Sequence, residues 1–272
     1  MPITTMRAII LAAGLGSRLK EYTAGKPKCL LEFGAKTLLQ RQMESLAANG
    51  ITDIHLVRGY LGEKIAYEGI TYYENPDFRD NNILNSLFYA EIALEGNVIV
   101  AYSDILVSPE IIEQLLKSNH DISIVVDIDW RGYYLGRKEH PIEEAEIVVL
   151  DAQNNVVRIG KNLALEGDVH GEFIGMMKFS ARGAQIFKSS FYRAKSLYWD
   201  KPFHRASVFQ KAYLTDMIQE MTDKGIPIQC VIIERGWKEI DTVEDYEKAL
   251  QDFTEPAEPR GDADAVQTLV SG

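Results

Sequence analysis

Two cysteines in 272 residues, Cys29 and Cys230, exclude a disulfide framework or a cysteine zinc cluster; both lie in apolar stretches (KCLLEF and IQCVIIE), as small buried residues do. Long apolar runs are missing too. Nothing approaches the roughly 18 apolar residues of a membrane span, and the short run in MPITTMRAIILAAG opens a strand pattern rather than a signal peptide, so the expected setting is the cytoplasm with no membrane partner. Positive charge is scarce: 29 Lys and Arg against 40 Asp and Glu give a net charge of −11. With no basic stripe to offset that repulsion, nucleic acid is disfavoured as a partner. The five histidines are scattered and form no pair at ligand spacing, and there is no internal repeat. A chain this acidic that binds phosphate has to gather its few cations in one place.

What is present is the composition of an ordinary globular protein, 46% hydrophobic and 25% charged. The first 130 residues alternate short β-rich runs (Ala8 to Ala12, Ile54 to Arg58, Ile70 to Tyr73, Val98 to Tyr102, Ile122 to Asp127) with helical patterns (Thr37 to Asn49, Ile83 to Leu94, Pro109 to Ser118). This rhythm predicts an α/β fold, a mostly parallel Rossmann-like sheet flanked by helices, with ligands at the carboxyl ends of its strands. Beyond Asp127 comes an irregular basic and aromatic segment, WRGYYLGRKEHP, then a hairpin turning at Gln153 to Asn155. Helices are expected at Ala181 to Arg193, Ser207 to Lys224 and Val243 to Phe253, with a strand at Ile228 to Glu234. The expected organisation is one domain over 1–253, an insertion at about 128–200 covering the acceptor, and a flexible tail at 254–272.

The strongest local signal is LAAGLGSRL at 11–19. Gly14 and Gly16 let backbone amides approach a phosphate, and Arg18 sets a guanidinium fork beside it. A dinucleotide fingerprint fails, because its third glycine falls at Leu19 and its acidic residue at Arg58; a Walker loop fails for want of Gly-Lys-Ser/Thr. In GKPKCLLEF at 25–33, Lys26 and Lys28 flank a proline that extends the chain, completing a cation cluster with Arg18. Tyr22 and Thr23 lie between the two motifs.

Together, LAAGLGSRL and KPKCLLEFGAKTLLQRQ resemble the opening signature of the nucleotidylyltransferases that activate sugar phosphates, phosphocholine and phosphonates with a nucleoside triphosphate. The resemblance spans most of residues 7–250 and implies the nucleotide-diphospho-sugar transferase fold. It implies that Leu11, Ala12, Ala13, Gly14, Gly16 and Ser17 bind nucleotide, with Arg18 and Lys28 as the catalytic cations. Asp104 in VIVAYSDILV and Asp241 in EIDTVEDYEKA match the family's two metal-binding aspartates, which implies Mg²⁺. Lys161 in VVRIGKNL and Glu172 in GEFIGMMKF match its acceptor side. RDNNILNSL at 79–87 is most like the choline-phosphate and phosphonate cytidylyltransferase branch, which implies CTP, with Asn82 and Ser86 near base and ribose and Ser103 also among the nucleotide-binding residues.

The chemistry agrees with the resemblance. Attack of an already ionised phosphate or phosphonate on an α-phosphorus needs charge cancellation and alignment rather than a Ser, His or Cys base. Taken singly, Asp104 and Asp241 could be helix caps or turn residues. The aromatic and acidic groups around the insertion, Trp130, Tyr133, Tyr134, Asp127 and Asp129, could hold an ammonium group or simply pack beneath a loop. Arg131 or Arg137 could pair with the acceptor anion, while His204 with Arg205 could reach an acceptor but reads better as a loop. The expectation is an Mg²⁺-dependent cytidylyltransferase that converts a small phosphate or phosphonate to its CMP conjugate and releases pyrophosphate. The alternatives are a sugar-1-phosphate nucleotidylyltransferase using UTP or TTP and a non-catalytic scaffold subunit; a homodimer is left open.

Overall fold

The computed structural model describes residues 6–161, 163 and 170–254. Strands β1 (Arg7–Ala12), β2 (Glu32–Phe33), β3 (Lys36–Thr37), β4 (Asp53–Arg58), β5 (Ile70–Glu74), β6 (Val98–Tyr102) and β7 (Ile105–Val107) alternate with helices α1 (Leu38–Ala47), α2 (Ile83–Leu87) and α3 (Pro109–Lys117). Then follow β8 (Ile122–Asp127), β9 (Ile147–Leu150), β10 (Val156–Gly160), β11 (Gly171–Phe179), α4 (Ala181–Tyr198), α5 (Leu214–Asp223), β12 (Gln229–Ile233), β13 (Trp237–Glu239) and α6 (Val243–Thr254).

The near-continuous apolar runs of β1, β6 and β8 are those of strands buried on both faces. Along β1 the side chains alternate: Ile9 and Leu11 pack with α2, α4 and α5, while Ala8, Ile10 and Ala12 pack with α1 and α3. Strands β6, β1, β4 and β5 lie side by side and parallel. Strand β11 runs antiparallel to β6, β8 and β9, and β12 extends the sheet from β8, so all main-sheet strands except β10 and β11 point one way. The chain winds outward from β1 through β4 to β5, then returns to β6 on the other side of β1. That reversal opens a crevice at the carboxyl ends of β1 and β6, where open α/β sheets take their ligands.

Two small assemblies complete the crevice. The ribbon of β7 and β13 pairs Glu239 with Ile105, and the Ile240 N–H donates to the Asp104 carbonyl at 2.8 Å, which sets Asp241 beside Asp104. A separate apolar cluster of Leu19, Leu31, Phe33, Leu38, Ile240, Tyr246 and Ala249 joins the segment after the glycine turn to α6.

Several element boundaries differ from expectation for identifiable reasons. The helix expected over 83–94 is α helical only to Leu87, and a 3₁₀ stretch kinked at Ala90 carries the chain to Ala93. The helix expected from Ser207 begins at Leu214: residues 209–211 form only a 3₁₀ turn, and carbonyls of Phe209, Gln210 and Ala212 accept from the Asn85 amide and the Leu84 N–H of α2. Within the expected insertion, β11 and α4 belong to the main sheet and its core; the irregular part is 130–145. Apart from Thr254 at the end of α6, the expected tail lies outside the described residues. No described helix is long and apolar enough to cross a membrane.

The register of β11 against β8 shifts between Phe173 and Met177, and Gly175 takes the slack at φ +80°. A Cβ at Gly175 would lie within van der Waals overlap of the Tyr102 ring. Gly175→Ala is predicted to destabilise the protein by roughly 1–3 kcal/mol, read as a fall in Tm by scanning calorimetry; an unchanged Tm contradicts this packing.

Candidate active site

The crevice is a cleft of about 350 Å³. One wall is the turn after β1. Gly16 adopts the left-handed conformation (φ +61°), which a side chain would resist, and a Cβ there would stand 3.1 Å from the Lys28 Cβ. The Thr23 hydroxyl braces the turn by donating to the Gly16 carbonyl at 2.9 Å, and Tyr22 packs edge-on against Tyr246 of α6. Pro27 holds the chain extended before a 3₁₀ turn that starts at Lys28. The Lys28 Nζ thereby reaches two carboxylates from distant parts of the chain, donating to Asp104 Oδ2 at 2.9 Å and to Asp241 Oδ1 at 2.5 Å. Arg18, half exposed, pairs with the other oxygen of Asp241.

These charges set one another. Burial alone would lower the Lys28 pKa and raise that of Asp241. The two carboxylates outweigh burial at Lys28 and keep it charged; Lys28 and then Arg18 outweigh it at Asp241 and hold that carboxyl well below the usual range. Glu239, on the strand just before, goes the other way, pushed well above its ordinary value by burial and by its neighbours Asp241 and Asp104.

For a divalent cation the donor set is suitable. Asp104 Oδ1 is buried and has no partner among the described residues, and it and Asp241 offer the hard oxygens that Mg²⁺ takes. His140, Glu239 and Asp241 also bring ligand atoms within 4.8 Å of one another. There, however, the Arg137 guanidinium, which can only donate, occupies His140 Nδ1 at 3.0 Å, so that nitrogen has no lone pair left for a metal.

The opposite wall is acidic. The Glu172 Oε1 accepts from the Tyr134 hydroxyl at 2.5 Å, while its Oε2 is buried without a partner among the described residues. Burial pushes the Glu172 carboxyl up to about 7, against the Tyr134 bond and the Arg137 charge. Glu146, also raised by burial, accepts from Thr215 and Tyr102. Lys161, the cation of this wall, pairs with Glu144 at 2.9 Å and lies 5.4 Å from the centre of the Tyr213 ring.

A family model described as a MobA-like NTP transferase domain matches residues 8–163. The chain belongs to that family. It is a nucleotidylyltransferase. The Campylobacter jejuni protein described as CTP:phosphoglutamine cytidylyltransferase is 27% identical over 257 residues, 90% of this chain and 100% of that one. A 2-aminoethylphosphonate cytidylyltransferase of Lancefieldella rimae is 28% identical over 71% of this chain and 77% of its own length. The fold is shared with the CTP:phosphocholine cytidylyltransferase of Streptococcus pneumoniae (TM-score 0.65, 23% identity, 91% of this chain and 99% of that one).

In this MobA-like transferase most residues singled out from sequence line the cleft: Leu11, Ala12, Gly14, Gly16, Ser17, Arg18, Lys28, Asn82, Ser103, Asp104, Lys161, Glu172 and Asp241. Four residues expected to bind nucleotide or acceptor lie elsewhere. Ala13 is buried and its carbonyl accepts from the Tyr60 N–H. Ser86 sits one turn along α2, where it accepts from Asn75 at 3.1 Å. Exposed Asp129 and buried Arg137 line a different cavity, and Arg137 pairs with Asp245. Lys26 does not line the cleft either. Asn82 reaches it with an amide already committed, Oδ1 capping α2 at the Ile83 N–H and Nδ2 donating to the Lys211 carbonyl. Asp127 is fully buried, accepting from Arg235 and Trp237, and Trp130 packs beneath the irregular segment. Arg205 supports the Lys161 carbonyl from behind, and His204 meets Glu220. Sequence reasoning missed Glu144, Glu146 and Glu239; for Glu146 and Glu239 the only available signal was a carboxylate in or beside a buried strand.

Because the native protein keeps the Glu172 proton to about pH 7, this group stabilises the fold fully below its ordinary carboxylate value, and the contribution is lost as pH rises through about 7. Glu172→Gln in the ligand-free protein is therefore predicted to flatten the decline of Tm between about pH 5 and about pH 8. An equally steep decline in the variant contradicts the assignment.

Proposed function

We propose that the protein is an Mg²⁺-dependent cytidylyltransferase that joins CMP from CTP to a small phosphate or phosphonate bearing an ammonium group. The observation that carries this reading is Lys28 lying between Asp104 and Asp241 beside the glycine turn, in one cleft with an acidic far wall. A triphosphate meets backbone amides of the turn and Arg18, a cation is held by Asp104 and Asp241, and an ammonium group finds Glu146 and Glu172. CTP and such acceptors are supported by the cytidylyltransferases among its relatives, which are named for phosphoglutamine, 2-aminoethylphosphonate and choline phosphate.

The reaction needs no proton abstraction. An ionised acceptor oxygen forms a bond to the α-phosphorus of CTP, the bond from that phosphorus to the bridging oxygen breaks, and its electron pair leaves with pyrophosphate. Lys28 and Arg18 supply fixed positive charge where two anions are brought together, at no reorganisation cost during the step. Bound Mg²⁺ would add further charge neutralisation at the phosphoryl oxygens. The acidic wall orients the acceptor by its cationic end and leaves the phosphate or phosphonate end for the reacting centre.

Lys28→Ala and Asp104→Asn are each predicted to lower turnover by on the order of a hundredfold or more, measured as pyrophosphate release with folding checked by circular dichroism; near-normal rates in either contradict the reading. Among acceptors, 2-aminoethylphosphonate is expected to exceed propylphosphonate, which lacks the ammonium group, in kcat/KM by about tenfold or more, since the latter leaves the glutamates without a cation. Equal rates, or a preference for UTP or TTP with a hexose phosphate, would replace it by the sugar-phosphate alternative.

A further inference from the structure

The irregular segment 130–145 grips the chain on either side of Asp241 from behind. The Tyr133 hydroxyl donates to the Glu239 carbonyl at 3.0 Å and accepts from the Glu239 N–H at 3.1 Å. Asp245 Oδ2 accepts from the N–H groups of Asp241 (3.2 Å) and Thr242 (2.9 Å) and from the Thr242 hydroxyl (2.9 Å). The Asp245 N–H bonds back to Thr242 Oγ1, a reciprocal cap for the start of α6 that is complete with this one oxygen. The second oxygen is held by Arg137, whose Nε and NH2 donate at 2.9 and 2.8 Å; its guanidinium lies over Tyr133 and Tyr134 and also donates to His140. Both side chains of this pair are only 2% exposed.

Capping a helix needs no arginine. A buried ion pair is a weak route to stability because desolvation offsets much of the attraction, so its use here points to a demand on geometry. The bonds form a continuous path from Arg137 through Asp245 to the backbone of Asp241, whose carboxylate faces Lys28 and Arg18. We infer that Arg137 is a positioning residue for Asp241: it fixes the Asp245 carboxylate, which fixes the Asp241 backbone and hence the direction of the proposed cation ligand. The inference rests on the proposed function and gives Arg137 a different task from contact with the acceptor anion.

The test uses Mn²⁺ as a paramagnetic probe of the cation site in the full chain with CTP, followed by electron paramagnetic resonance alongside steady-state kinetics. In Arg137→Met the Mn²⁺ dissociation constant is expected to rise by about 10- to 100-fold, with turnover recovered at high metal concentration and the acceptor KM unchanged. Should that variant not fold, Asp245→Asn, which keeps the cap's shape and an acceptor oxygen, is expected to show the same metal-specific loss. Unchanged Mn²⁺ affinity in a folded variant overturns the inference, as does a raised acceptor KM with normal metal binding. If the unaltered protein binds no Mn²⁺ with CTP, the proposed function falls as well; if it does and the variants bind equally, only the role of Arg137 falls.

Discussion

The arrangement depends on one ammonium group. Lys28 lies in the first ninth of the chain and Asp241 in the last eighth, yet their charged atoms are 2.5 Å apart, with Asp104 from the middle completing the triad. Like charges of Asp104 and Asp241 could not be brought together in a buried cleft without a cation between them, and a buried lysine could not stay charged without them. The surrounding structure makes this meeting possible. The β7–β13 ribbon aligns Asp104 with the approach to Asp241, and the apolar cluster around Tyr246 clamps the segment after the glycine turn onto α6. Each contact alone is small; together they fix a charge pattern that the net charge of −11 would otherwise disperse.

The cleft has two electrostatic characters. The glycine-turn side presents Arg18 and Lys28, and the wall from β9, β11 and the start of α5 presents Glu146 and Glu172, with Lys161 partly neutralised by Glu144. In the proposed reading, a substrate with an anionic reacting end and a cationic tail is drawn in with one orientation, so the same charges that bind it align it. Burial shifts both carboxyls toward the protonated form when the cleft is free and a bound cation would shift them back, which couples acceptor charge to the protonation of this wall.

How far the sequence discloses this depends on whether a signal is local. Strands β6 and β8 and the start of α1 were legible because apolar runs and helical patterns are local preferences that the fold does not overrule, and at α1 the structure adds a capping box between Thr37 and Gln40. The gathering of Gly14, Gly16, Arg18, Lys28, Asp104 and Asp241 was legible because the strand-end pattern and the family resemblance name the same residues. Other features depend on long-range pairing that no spacing rule reports. Ser86 lies one turn into the helix that Asn82 caps, but its hydroxyl is committed to Asn75. Arg137 looked like an anion ligand because nothing near it in sequence foretells Asp245, 108 residues on. The late start of α5 follows from carbonyls claimed by α2, which is likewise a tertiary effect.

The most direct measurement of the central claim is a crystal structure with Mg²⁺ and a non-hydrolysable CTP analogue. The account predicts the triphosphate on the glycine turn, the α-phosphoryl group within hydrogen-bonding reach of the Lys28 Nζ, and a metal ion ligated by Asp104 and Asp241. A nucleotide seated elsewhere, or a triphosphate bound here with no metal at those two carboxylates, would contradict it.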